Sequence, residues 1–183
     1  MTPPLLFDEH GWTTSAVTPL PIAEAWTLLS PEPDARVDAA RWAHQAATFF
    51  RARLAVVQEK RYPAGTVPLV DYLELEIGRR DDAASTRVLV LTLPIGRAPD
   101  AEKAAAAGAR AIGGAGFDAI LPRTRRVWQV RERLDGPGDT RAPLAAAAVL
   151  ASVFLSPVVP PGGGTIFGVK GARLRLEALG WRT

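Results

Sequence analysis

The sequence predicts an α+β fold: a single domain whose largely antiparallel sheet is built from paired strands, with helices packed on one face. Three observations carry this expectation. Residues 142–169 contain no ionisable side chain, although charge is spread along the rest of the chain, so a buried helix followed by a loop and a buried strand belongs there. Strand-like runs come in adjacent pairs, and helical periods separate the pairs. At 183 residues the chain suits one well-buried core, and 48% hydrophobic with 22% charged residues is ordinary globular usage.

Residues 1–20 are rich in Pro and lack a clear period, which predicts an extended N-terminal arm anchored by Trp12, with the globular domain covering residues 21–183. A short helix is expected over about Ile22 to Leu29. Ser30 before Pro31, or Asp34 after Pro33, offers a cap for a long helix running from Asp34 to about Arg61. Val37, Ala40, Ala43, Ala47, Phe50, Leu54 and Val57 fall on its apolar stripe, widened by Trp42, Ala46, Phe49 and Val56. Two runs, Leu69 to Ile77 and Arg87 to Ile95, predict a hairpin. In the first, Leu73, Leu75 and Ile77 alternate with Tyr72, Glu74 and Glu76, the pattern of a half-exposed strand. The second is apolar on both faces and so belongs at the centre of the sheet.

Pro99 to Ile112 predicts a helix, with Asp100 and Glu102 favouring its N-terminus and Gly113-Gly114 stopping it. Arg125 to Leu134 predicts a strand closed by a turn at Asp135 to Asp139. The buried helix follows over Pro143 to Ser156. A final hairpin is expected from Ile166 to Val169, turning at Lys170-Gly171 into Arg173-Leu-Arg-Leu.

Composition excludes several function classes. The chain has no cysteine, so disulfides, thiolate catalysis and Cys-based zinc or iron–sulfur sites are ruled out. Net charge is only +3 despite a pI of 9.8, because Lys60, Lys103 and Lys170 are the lysines among 22 basic residues and arginine titrates late. Abundant Arg, Ala, Gly and Pro match a GC-rich genome. The N-terminus lacks the basic start and apolar run of a secretory signal, which predicts a cytoplasmic location. The uncharged helix, about 15 residues and so about 22 Å long, falls short of a ~30 Å hydrocarbon core, so no membrane span is expected.

Catalytic signatures of the common kinds are absent: no Gly-x-Ser-x-Gly elbow, His-Glu-x-x-His pair, Walker loop or dinucleotide-binding glycine fingerprint occurs. His44 lies mid-helix without a second ligand four residues away, and His10 lies in the arm, so no metal and no cofactor are expected. Glu74 and Glu76 share one strand face, with Asp71 opposite, and are the carboxylates a metal-assisted hydrolase would recruit.

Gly113-Gly-Ala-Gly116 joins a helix to an apolar segment and is followed by Arg123, Arg125 and Arg126. Over residues 93–134 this order resembles a KH domain, whose GxxG loop clamps a nucleic-acid backbone. The middle of the loop holds Gly114 and Ala115 where that family carries a basic residue, and Pro122 interrupts the second helix, so no membership is assigned. On the following strand Arg125, Arg131 and Arg133 share a face with Val127 and Gln129, displaying a basic row that can bind an anion or acidic partner or pair across the sheet with Glu74 and Glu76.

The leading functional expectation is a non-catalytic interaction or assembly protein, an adaptor or structural subunit that presents surfaces to a protein partner or to itself, with Gly113, Gly116, Arg125, Arg131 and Arg133 as the binding candidates. The alternative is a single-stranded nucleic-acid-binding module using the glycine loop and arginine strand. A metal-assisted hydrolase is the third.

Overall fold

The computed structural model describes residues 18–58, 72–133 and 138–183. Most of the expected arm with His10 and Trp12, the strand start including Asp71, and the turn over 134–137 lie outside these residues. In chain order the described elements are β1 (Trp26–Ser30), α1 (Ala39–Phe50), β2 (Ala52–Gln58), β3 (Tyr72–Arg79), β4 (Thr86–Pro94), α2 (Pro99–Ala111), α3 (Phe117–Ile120), β5 (Arg126–Glu132), α4 (Ala142–Phe154), β6 (Val158–Val159) and α5 (Val169–Ala178). Short 3-10 turns occupy Ile22–Glu24, Ile95–Arg97 and Leu121–Arg123.

The strands form one sheet in the order β2-β3-β4-β5-β1-β6, every neighbouring pair antiparallel. This is the expected α+β architecture. The β3–β4 hairpin pairs Leu73 with Val90 and Leu75 with Val88, and β4 lies between β3 and β5, as its apolar faces require. The expected helix α2 begins with Pro99 at its first turn and ends where the N–H groups of Gly113 and Gly114 donate to the carbonyls of Arg110 and Ala109.

Three local expectations are corrected. Residues 22–29 form a 3-10 turn and β1 rather than a helix: Leu28 and Leu29 point to opposite, fully covered faces of the sheet, so the run shows no polar alternation from which a strand could be recognised. The helix expected to run to Arg61 ends at Phe50. Arg51 takes a left-handed conformation (φ 46°) and donates its N–H to the Ala46 carbonyl, and the chain reverses into β2. There Leu54 is buried while Arg53 and Ala55 are exposed, the alternation of a strand. The C-terminal hairpin is instead a single bridge between Val158 and Phe167 followed by α5, in which Ala172 and Leu176 are buried one helical turn apart.

The main core lies on one face of the sheet, where α4 packs with every residue from Ala142 to Ala151 buried. Trp128 of β5 stacks on Phe154 at 4.8 Å, and Trp42 of α1 meets both rings edge-on at 5.9 and 6.0 Å. The expectation that the helices cover one face is corrected here, because α2 lays Ala101, Ala105 and Ala109 over Leu29, Leu93, Val127 and Val159 on the opposite face. The helix comes that close because Gly108 has no side chain: a Cβ there would lie 2.5 Å from the Thr165 carbonyl oxygen.

Two buried polar side chains fix the neighbouring loops. Gln129, fully buried, accepts from the Leu20 N–H at 2.7 Å and donates to the Leu20 carbonyl at 3.0 Å, as a strand neighbour would. Arg126 donates to the Pro33 carbonyl at 2.8 Å and to the Thr92 hydroxyl at 3.4 Å. No helix among the described residues is long and apolar enough to cross a membrane.

Candidate functional site

The glycine loop leaves α2 in an unusual way. Gly113, Gly114, Ala115 and Gly116 all have positive φ (73°, 82°, 44° and 85°), a left-handed turn that glycine adopts without penalty and alanine only with strain. The turn folds residues 117–124 back beside α2 and opens a cleft of about 660 Å³ between them. Glu102, Ala106, Ala109 and Arg110 of α2 form one wall, and Asp118, Leu121 and Pro122 form the other, with Gly113 and Gly114 at the end. A second chamber of about 90 Å³ adjoins it, lined by Leu29, Ile95, Glu102, Ala105, Leu121, Pro122 and Thr124. Glu102, Leu121 and Pro122 belong to both.

Of the residues singled out from the sequence, Gly113 lines this cleft, whereas Gly116 only shapes the turn behind it. The arginines go elsewhere. Arg125 is exposed just before β5, Arg131 reaches Glu24 at 3.4 Å, and Arg133 donates to Glu74 at 3.1 Å. Arg125 and Arg133 bracket β5, whose seven residues span about 20 Å, and between them Val127 and Gln129 are covered. Glu74 is nearly buried and also lies 3.7 Å from Arg87, so it is held by one guanidinium on the adjacent strand β4 and by a second just beyond β5. The cross-sheet pairing anticipated for Glu74 therefore exists, although β4 separates its strand from β5.

His44 is exposed on α1, and among the described residues no group of three or more His, Asp or Glu side chains is placed to hold a metal ion. The residues that sequence reasoning passed over are Glu102, Asp118 and Thr124. Glu102 reads as a first-turn acid of a helix and Thr124 as a strand entry, and neither carries a signal that the left-handed turn would bring them to one cleft.

Away from the cleft, the Arg141 guanidinium grips Asp139 with hydrogen bonds of 2.7 and 2.8 Å, and that bonding holds the Asp139 carboxyl below the ordinary carboxylate range. Asp82 is likewise lowered, first by the Ala84 N–H and then by Arg79. Compared with known proteins, the chain matches no family model, no curated protein and no solved structure.

Proposed function

We propose that this chain is a non-catalytic interaction or assembly protein that presents apolar surface to a protein partner or to a second copy of itself. The observation that supports the reading is Leu155. It closes α4 in a left-handed conformation (φ 52°) and leaves its side chain 78% exposed. Glycine or asparagine would close the helix with less strain, and a polar residue would suit the solvent, so leucine is unfavourable on both counts in the isolated chain. An interface that buries Leu155 reverses the second of these costs, since covering a leucine side chain is worth about 1.5–3 kcal/mol. Scattered apolar residues are normal on surfaces, but a strained one is not explained by solvent exposure alone.

Leu155→Asn tests this directly. The variant is expected to fold with unchanged or slightly higher thermal stability, because asparagine tolerates the left-handed region. It is also expected to lose an association that the wild type shows, either self-association in sedimentation velocity or retention of a protein by affinity capture from the native cell. If wild type and variant sediment alike as monomers and retain the same proteins, the reading fails.

A further inference from the structure

We propose that the two-chambered cleft between α2 and residues 113–124 is a binding site for a small organic cation, a primary amine carried on an aliphatic body. The cleft volume of about 660 Å³ falls within the range of small-molecule sites, about 300–1,000 Å³. Its polar groups are few and of one prevailing sign. Glu102 and Asp118 oppose a single guanidinium, Arg110, in the outer chamber, and Glu102 is the one charged side chain of the inner chamber.

The inner chamber also holds a hydroxyl. Thr124 is only 9% exposed, and its hydroxyl has no hydrogen-bond partner among the described residues. A hydroxyl that lines the chamber without a protein partner is open to accept a hydrogen bond from a ligand. An ammonium group fits both neighbours, donating to the Glu102 carboxylate and to the Thr124 oxygen. A carboxylate or phosphate would instead face Glu102 with like charge. At about 90 Å³ the chamber has room for such a head, equivalent to about three water molecules of about 30 Å³ each.

The body of the ligand follows from the remaining lining. Ala106, Ala109, Leu121 and Pro122 offer aliphatic contact, and Leu121 and Pro122 continue from one chamber into the other. No aromatic ring lines either chamber among the described residues, so a flat aromatic ligand would gain no stacking here.

The test is a titration of the full chain with hexylamine, hexanoate and hexanol, followed by amide chemical shifts in two-dimensional NMR. Hexylamine is expected to shift Gly113, Gly114 and Thr124 saturably in the millimolar range, at least about tenfold more tightly than either analogue. Glu102 is exposed on α2, so Glu102→Gln is expected to fold normally and to weaken hexylamine about tenfold. Ala106→Trp is expected to fill the outer chamber and abolish binding. Leu155→Asn is expected to bind hexylamine as the wild type does, which separates this site from the association surface. Binding of hexanoate or hexanol as tight as that of the amine would overturn the proposal. So would amine binding that Glu102→Gln leaves unchanged, or the absence of a saturable shift at these amides.

Discussion

Asp139 and Arg141 join the entrance of α4 to the end of the chain. Arg141 bonds both carboxylate oxygens of Asp139, donates to the Leu179 carbonyl at 3.2 Å and lies over the Trp181 ring at 5.7 Å, while Trp181 donates its indole N–H to the Phe50 carbonyl at 3.0 Å. One charge-assisted pair thus connects the core helix, the C-terminus and the end of α1. Because the Arg141 hydrogen bond depresses the Asp139 pKa in the folded state, the resulting stability is complete above the unfolded-state value near 3.9 and is lost as pH falls through the lower folded value. Asp139→Asn is expected to cost about 1 kcal/mol at neutral pH and to lessen the loss of stability below about pH 4. Urea unfolding of both proteins at pH 7 and pH 3 checks this, and equal acid sensitivity would show that the pair contributes nothing.

At the level of elements, α2 rests on a missing side chain. Alanine is a better helix former than glycine by about 1 kcal/mol, yet Gly108→Ala would drive a Cβ into the Thr165 carbonyl, which is backbone and cannot rotate away. A net destabilisation of about 1–3 kcal/mol by thermal melting is expected, and a stabilised variant would mean that α2 slides freely. The core helix gives a sharper case: Leu150 is fully buried, so Leu150→Asp is expected to cost several kcal/mol, and a wild-type melting temperature would refute its burial. These helices were legible because α2 has its acids, its glycine stop and its period in sequence, and α4 has no polar face at all. Three other elements were not. The stop of α1 is an arginine where a glycine was the recognisable sign, so Ala52–Gln58 looked like further helix. In α5, Arg173-Leu-Arg-Leu imitates strand alternation, whereas the helix is fixed by Ala172 and Leu176 meeting the core. The cleft escaped for a related reason, since its wall on α2 consists of two alanines flanked by a glutamate and an arginine, residues common on any exposed helix face, and what makes it a cleft is the backbone turn at 113–116.

The strand order is a property of the whole chain that no local pattern announces. β3, β4 and β5 lie side by side in sequence order, but β1 is inserted between β5 and β6, so a strand near the start of the described chain sits inside the sheet. Its pairing runs from Trp26 opposite Val130 to Ser30 opposite Arg126, and on its other side Thr27 and Leu28 meet Val159 and Val158. Both faces are covered, Leu28 by the main core and Leu29 by the cluster beneath α2. Five residues therefore link the two hydrophobic clusters, and β1 cannot detach without opening both. A strand held in this way opens only when the molecule unfolds. Hydrogen exchange is expected to show the amides of Leu28 and Leu29 as protected as those at the centre of β4, with a free energy of exchange equal to that of global unfolding. The outer strand β2, which among the described residues is hydrogen-bonded within the sheet only to β3, is expected to exchange faster. If the β1 amides exchanged like those of β2, the strand would be a detachable margin, and the two clusters would be independent units rather than parts of one cooperative fold.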